Sequence, residues 1–447
     1  MDGTQASLTL HDAIASADAE RFALTANSTH PADIATALAE FDPNTVHTVL
    51  GWMPIRARAD LFGYLDTDVQ HELAERLSRS ELAELFRHMS SDERADLFKQ
   101  LDETQRESFL PALAQAERDD IRALARYEEG TAGALMTSEY ATVGSELTAA
   151  EAIEHLRSVA PDAETIYQSY VIDQERELVG TVSLKDLVIS PPTTSVAALM
   201  EGNPVSVRVE APQAEAARLV AKYDLIAVPV VDAHNRLVGI VTYDDAMDVA
   251  EAEATEDFRK VGAVEALPVR LRHATVSLLY RTRVFWLVVL VFGNLVSGAA
   301  IAYFEETIAA NLALVFFLPL LIASSGNAGA QSATLMVRAL ATGDVVIKDW
   351  AGMLVRELAV SALLGVTMAL AVSFIGVWRG GSRIALLVGL TMVLVVIAGS
   401  VIGMSLPFLL NRLRLDPAAS SAPLITSIAD GIGVIVYFTL ASALLGR

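Results

Sequence analysis

Apolar residues fall at helical spacing from 31 to about 127: Ile34, Leu38 and Phe41, then Leu61, Leu65, Leu73, Leu77, Leu82, Leu85 and Phe86. Within that stretch Arg58-Ala-Asp-Leu-Phe-Gly-Tyr-Leu-Asp66 returns 36 residues later as Arg94-Ala-Asp-Leu-Phe-Lys-Gln-Leu-Asp102. Such a period predicts stacked helical hairpins, each burying its apolar face on the next, and so an α-solenoid over 31–130. Ser91 followed by Glu93 and Arg94 reads as a helix start. Residues 1–30 lack sustained patterning and are expected to form a mobile tail.

From about 134 the pattern changes to short apolar strands between helices, and it occurs twice. Ala134-Leu135-Met136 recurs as Ala198-Leu199-Met200, 147–157 answers to 211–223, and 170–187 answers to 228–246. Each unit reads helix, strand, polar turn, second strand at Leu-Val-Gly-x-Val, second helix. Beyond 280 come five apolar runs, at 284–304, 312–341, 353–377, 384–410 and 418–445, each long enough to cross a bilayer. The fold class expected is multidomain: α-solenoid, α+β pair, connecting helix and an all-α domain of five transmembrane helices.

Charge follows the same division. The chain is 53% hydrophobic with a net charge of −22 and a mean hydropathy of +0.40. Residues 1–269 hold 48 acids against 21 bases, and residues 270–447 hold 7 against 12. An acidic soluble half repels nucleic acid and attracts cations, although a salt-adapted surface would look alike. The absence of cysteine excludes disulfides, thiolate metal sites and cysteine nucleophiles. No basic n-region with an apolar core opens the chain, so no signal peptide is expected. There is no Walker A lysine loop, HExxH or Gly-x-Ser-x-Gly, so no enzyme is expected and no catalytic residue is assigned.

Bases flanking the runs are unevenly shared. Arg270, Arg272, Arg281, Arg283, Arg338, Lys348, Arg356, Arg412 and Arg414 fall on one side, and Arg379, Arg383 and Arg447 on the other. By the positive-inside rule the N-terminal half is cytoplasmic, in a multi-pass protein of the cell membrane whose C-terminus lies outside. Glu305 and Glu306 then mark an outer mouth. Trp286, Trp378 and Tyr437 lie towards span ends, where amphipathic rings settle.

Three stretches carry candidate chemistry. Asp430 is the one carboxylate of the run 418–445, followed at once by Gly431 and Gly433. A carboxylate there costs at least a few kcal/mol, so it faces a partner or a watery path; a protonated Asp hydrogen-bonded within a bundle is the alternative. The run 312–341 contains Pro319 and the polar Ser324, Ser325, Asn327 and Gln331, and irregular or polar stretches at that depth are tolerated against protein or a water-filled cavity. Just before the first run, Asp244, Asp245, Asp248, Glu251, Glu253, Glu256 and Asp257 crowd one helix with little base nearby. Like charges at this spacing repel by a few tenths of a kcal/mol per pair. They form either a solvated helix or a sensor that a divalent cation neutralises.

The motif Leu-Val-Gly-x-Val-(Ser/Thr)-x-x-Asp, at 178–186 and 237–245, resembles that of a tandem pair of CBS domains, over 131–195 and 196–249. That resemblance implies an adenine-nucleotide site, ATP included, with Asp186 and Asp245 at the ribose. Beyond it, PLLIASSGNAGAQSATLMVRALATGD (319–344), VAEAEATED (249–257) and PLITSIADGIG (423–433) are similar to the MgtE family of magnesium channels, nearly throughout the chain. The resemblance implies a homodimer taking up Mg2+ through a pore over 281–447, with Asp430 as the pore carboxylate beside Asn327 and Gln331. It implies Mg2+-sensing acids at Asp224, Asp245, Asp248, Glu253, Glu256 and Asp257, with Asp92 or Asp96 of the solenoid as their partner. A connecting segment at 250–280 would carry a plug helix at about 250–268. The stretch Ala418-Ala-Ser-Ser-Ala422 departs in detail from the family pattern. Magnesium is hard and prefers oxygen ligands, which suits carboxylates and amides and not His or Cys. Two other classes stay open: a proton-coupled cation transporter with Asp430 titrating and Glu357 as second acid, and a nucleotide-sensing membrane regulator without transport.

Overall fold

The computed structural model describes residues 3–265, 274–419 and 422–445. It divides into two compact units, Met1–Glu253 and Ala254–Arg447.

In the first unit a helical array packs a single core through residue 121. The repeated segments lie on the helices Ile55–Gly63 and Ser91–Gln100, where Ala59 and Ala95, then Leu61 and Leu97, are buried in equivalent places. Caps punctuate the array: Ser78 with Glu81, and Asp102 with Gln105, close reciprocal capping boxes. One expectation is corrected here. Residues 3–26 are no tail. The helices Gly3–Ala15 and Ala19–Ala26 bury Leu10, Ala13, Ile14 and Phe22 in the array's core, and Phe22 meets the edge of Trp52. The two helices are short and broken at Ala17, which lies in the left-handed region, so apolar periodicity is not sustained. The helix expected to start at Ser91 does so, running Ser91–Gln100 behind Ser90 at its N-cap, with Ser91 itself buried. Ser91 Oγ shares a 2.8 Å hydrogen bond with Thr137 Oγ1 and accepts one from Ser138 N.

Two sheets follow. The first is β1 (Tyr140–Gly144), β2 (Thr165–Ile172), β3 (Leu178–Ser183) and β4 (Glu201–Gly202), in that order. The second is β5 (Val207–Arg208), β6 (Ala227–Val231) and β7 (Leu237–Thr242), again in order. Both place a parallel strand beside an antiparallel hairpin. The two hairpin turns are joined reciprocally: Leu178 N donates to Asn235 O at 3.0 Å and Leu237 N to Arg176 O at 3.1 Å. Thr137 pairs with Ile240, so the segment before β1 borders the second sheet. Repetition in the sequence has become a pseudo-two-fold pair.

The helix Tyr243–Val261 carries the acidic run. It corrects the boundary expected at 249/250, because no Gly or Pro interrupts it and it continues unbroken from the second repeat. Gly262 and Ala263 stop it, Ala263 in the left-handed region and Val264 N donating back to Arg259 O. Of the expected plug helix 250–268, residues 266–268 lie outside the described residues, as do Arg270, Arg272, Ser420, Ser421 and Arg447.

Among the described residues of the second unit four helices are long and apolar enough to cross a membrane: Val276–Tyr303, Ala313–Ala341, Ile347–Arg412 and Ala422–Leu445. The third, straight, would measure about 95 Å against a hydrocarbon core of about 30 Å. It is not straight. Gly381 leaves the helical region at φ 78° and ψ 178°, a conformation that glycine tolerates. Beyond that break the chain doubles back: a Cβ at Gly376 would fall 2.8 Å from Ala385 Cα, and one at Gly365 2.9 Å from Val393 Cα. Residues 365 and 393 could not meet otherwise. The core of this unit runs from Leu314 and Phe317 through Val388, Val395 and Val396 to Tyr437 and Phe438. Tyr437 Oη donates to Leu314 O at 3.0 Å.

Candidate functional site

Asp430 lies on the helix Ala422–Leu445, where two neighbouring helices approach it closely. On the side of Ala313–Ala341, a Cβ at Gly326 would fall 2.8 Å from Thr426 Cγ2 and 3.5 Å from Asp430 Oδ1. The clash that glycine avoids here is with Thr426, one turn before the carboxylate, which itself would be in ordinary contact. One turn further, a Cβ at Gly329 would fall 2.7 Å from Gly399 O, and Ser325 Oγ donates to Val395 O at 2.8 Å. The Gly and Ser residues of 319–331 therefore act as close-packing surface, as small residues do between spans. On the side of Val276–Tyr303, a Cβ at Gly431 would fall 3.7 Å from Ser297 Oγ.

Asp430 Oδ1 is buried and has no hydrogen-bond partner among the described residues, and Ser297 Oγ shares that condition. A buried acceptor left so costs about 1–3 kcal/mol, more when charged. Among the described residues no hydrogen-bond partner of Oδ1 supports the alternative of a protonated Asp bonded inside this bundle. An oxygen-ligated cation or its water shell fits an orphaned carboxylate oxygen. Asn327 and Gln331 share a face of their helix at i, i+4 and are exposed, while Gly326 and Gly329 are buried. Within one chain, nothing covers these two amides.

The second group of acids is built from four segments of the first unit. Asp92, Glu93 and Asp96 come from the start of Ser91–Gln100, Glu139 and Glu164 flank the first repeat's opening strands, and Asp244, Asp245 and Asp248 begin the acidic helix. Burial raises the Asp245 carboxyl to about 7, and Asp92, Asp244 and Glu164 add repulsion, against a 2.5 Å hydrogen bond from Thr242 Oγ1. Glu93 is pushed up to about 7 by burial and then by Asp92. Glu139 is held at about 7 by burial, despite Arg94 Nη2 at 2.6 Å, with Glu164 and Asp92 repelling it. Asp92 rises by burial and then by Asp96; Glu164 rises by burial, then by Asp92 and Asp244. Asp248, exposed, rises by partial burial and then by Asp244 and Glu251. Asp96 is exposed and pairs with Lys99 Nζ at 3.2 Å.

Sequence reasoning named Asp92, Asp96, Asp245 and Asp248 and missed Glu93, Glu139 and Glu164 as members of the group. Its signal for the last two was absent, since tertiary packing alone brings them near Asp92. Among the described residues no three His, Asp or Glu stand close enough to hold a metal ion. The arrangement is one of repulsion, not a formed cage. Asp224 is the exposed left-handed cap of the helix Gln213–Tyr223 and is not among the carboxylates that act on Asp245.

Further along the acidic helix a base does offset the acids, against expectation. Lys260 Nζ lies 2.5 Å from Glu256 Oε1 and 2.5 Å from Asp416 Oδ2. Asp257 rises by burial and then by Asp416. Glu253 has no such partner described. Asp186 and Asp245 are equivalent in the two repeats, each bonded to the hydroxyl three residues before it, Ser183 and Thr242, at 2.6 and 2.5 Å.

Residues 318–440 match the model of a divalent cation transporter family, MgtE; 29–130 match its intracellular N domain; and 132–190 and 196–252 match CBS domains. The chain is 44% identical to the magnesium transporter MgtE of Thermus thermophilus over 73% of each protein. It is 32% identical to that of Bacillus subtilis over 92% of this chain and 91% of the relative. Among solved structures, the cytosolic domain of the Mg2+ channel MgtE in complex with ATP is 37% identical, with a TM-score of 0.52, covering 54% of this chain and 99% of that one. The soluble part of a magnesium transporter is 30% identical, with a TM-score of 0.51, over 57% and 100%. These relatives are named as transporters or a channel rather than enzymes. With its apolar helices the chain is a multi-pass membrane protein, and it belongs to the MgtE family of divalent cation transporters.

Proposed function

We propose that this protein is a magnesium-selective channel for Mg2+ uptake, closed by intracellular Mg2+ acting on its acidic segments. The observation that carries the reading is the orphaned Oδ1 of Asp430, buried beside Gly326 where three membrane-length helices meet. The names of the relatives support magnesium as the cargo. The hairpin about Gly381 makes five crossings, and the flanking bases orient them with residues 1–269 in the cytoplasm and the C-terminus outside. In a homodimer two copies of Asp430 line one path, and the uncovered Asn327 and Gln331 face it or the partner. Magnesium sheds water reluctantly, so the pair holds the hydrated ion through its waters.

Closure follows from repulsion. Without Mg2+, Asp92, Glu93, Glu139 and Glu164 oppose Asp244, Asp245 and Asp248; with it, carboxylates that repel share a cation. Asp224, Glu253, Glu256 and Asp257 belong to the same regulatory set, on the segment leading into the membrane, and Asp96 supports Asp92. Cation binding favours the closed form by its differential affinity for the two forms. The solved ATP complex of a relative supports an adenine nucleotide at the CBS pair, with Asp186 and Asp245 at the ribose. The division 31–130, 131–195, 196–249, 250–280 and 281–447 is read with residues 3–26 added to the solenoid.

The test is Mg2+ flux into liposomes holding the pure chain, with internal Mg2+ and the proton gradient varied separately. Flux that falls as internal Mg2+ rises and ignores the proton gradient is expected. Strict dependence on the proton gradient would make the protein a coupled transporter, and no flux at all a regulator.

A further inference from the structure

Behind the last helix lies a groove of about 520 Å3 that the transport reading does not use. One wall is a single stripe of the hairpin's second half, Ile402, Ser405, Leu409 and Arg412, spaced as one helix face. Ile347 and Trp350, at the start of its first half, form the opposite wall, and Ile428 of the last helix closes the back. Ile428 and Asp430 are two positions apart, roughly 200° around the helix. The groove therefore opens away from the carboxylate. Its volume lies in the range of small-ligand sites, about 300–1,000 Å3.

Three features bear on what fills it. The interior is apolar except for Ser405, whose Oγ is buried and has no hydrogen-bond partner among the described residues. At the mouth stand an exposed guanidinium, Arg412, and an indole, Trp350, the pair that membrane–water interfaces collect. No acid lines it among the described residues. Two acids close by in sequence, on either side of the rim, are occupied elsewhere, Asp349 Oδ2 accepting from Val346 N and Asp416 Oδ2 pairing with Lys260. Apolar floor, buried hydroxyl and cationic rim follow the order of acyl chain, ester and phosphate.

We propose that this groove binds an anionic phospholipid, one acyl chain along Ile402 and Leu409 and the phosphate on Arg412. The proposal rests on the orientation proposed above only in assigning Arg412 to the cytoplasmic leaflet, whose anionic lipids favour each nearby base. Seated there, the lipid touches the back of the helix that carries Asp430.

The test is native mass spectrometry of the full chain released from detergent, with phosphatidylglycerol or phosphatidylcholine added. Wild type retains phosphatidylglycerol in preference, Arg412→Gln loses about fivefold of that preference, and Ser405→Trp, which fills the floor, loses both lipids. Equal retention of the two lipids by wild type, or an unchanged preference in Arg412→Gln, overturns the proposal. The chain has no cysteine, so Leu409→Cys adds a single thiol at the groove. A disulfide-linked dimer through it would put a second copy over the groove and also overturn the proposal; an unlinked protein whose thiol phosphatidylglycerol shields supports it. Because lipid retention is read without transport, a protein that passes no Mg2+ still answers the question.

Discussion

The two units treat carboxylates in opposite ways. The membrane unit holds one among glycines and apolar side chains, Asp430, half-buried, whose Oδ1 has no hydrogen-bond partner among the described residues. The first unit gathers at least seven from four segments, and three of them, Glu93, Glu139 and Asp245, are pushed up to about 7. A lone charge without a partner must be answered by its ligand, so it specifies a site. A crowd of charges can be answered by protons, by cations or by moving apart, so it specifies a response. The first has a geometry to break; the second has a balance to shift.

Breaking the lone site should have the largest effect. Asp430→Ala should lower Mg2+ flux into liposomes about ten- to hundredfold, the worth of a charge-assisted contact of roughly 1.5–3 kcal/mol, while the protein keeps its elution volume. Asp430→Asn keeps the shape and loses the charge, and should fall nearly as far. Wild-type flux in both would remove the distinction between the two units. Gly326→Ala is the companion test: its methyl would press on Thr426, one turn before Asp430, and push the two helices apart there, so flux should drop with the carboxylate intact.

The crowd should respond to neutralisation of several members at once. Asp248, Glu253, Glu256 and Asp257 changed together to Asn or Gln lose both the repulsion and the oxygens that bridge a cation. Protease protection of residues 244–265 should then cease to depend on Mg2+, whereas in wild type it should rise with Mg2+. Dependence that survives in the variant, or is missing from wild type, would show that these acids do not sense the ion.

Protons offer a finer comparison, because their sign is fixed by the raised carboxyls. Glu93, Glu139 and Asp245 have ordinary values of 4.5, 4.5 and 3.8 and sit at about 7 when folded. Below about pH 4 they are protonated folded or unfolded, and the packed arrangement has its full stability. As pH rises through about 7 they ionise against one another and that stability is lost. In the absence of Mg2+, protection of the first unit should therefore be greater at pH 5.5 than at pH 8. Saturating Mg2+ should flatten the difference. The reverse slope would mean that other carboxylates, such as Asp232, which is held near 2 by its hydrogen bonds from Arg236 and backbone, dominate the profile.

How far this was legible in the sequence follows the same contrast. Asp430 stands out because an apolar run makes any carboxylate conspicuous, and the strand repeats stand out because 170–187 and 228–246 repeat their order of residue types. The fold class is that expected. The helices of 3–26 were hidden because they are short and broken at the left-handed Ala17, so Leu10, Ile14 and Phe22 do not continue one period. Glu139 and Glu164 were hidden because nothing local marks a carboxylate that packing will carry towards Asp92. The unbroken helix Tyr243–Val261 was misdivided because a domain boundary was expected where the backbone has no reason to stop. Distance along the chain hid the last feature most completely. Lys260 and Asp416 are 156 residues apart.

That lysine gives the smallest and most discriminating test. It is a cation the protein carries itself, set between Glu256 and Asp416 with all three side chains more than a third exposed or nearly so, at 35%, 48% and 40%. Exposed pairs of this kind contribute about 0–1 kcal/mol each, so its removal should not unfold anything. If it competes with Mg2+ for the carboxylates, Lys260→Met should leave Glu256 free and lower the Mg2+ concentration that gives half-maximal protection, by about threefold for roughly 0.7 kcal/mol. If it serves instead as a tether holding the helix end to the loop before the last span, the same change should raise that concentration. Lys260→Arg keeps the charge and should behave as wild type under either account, which separates loss of charge from loss of side-chain packing. A threefold fall places Lys260 with the crowd, as one more charge in its balance. A rise places it with Asp430, as a residue whose geometry matters more than its sign.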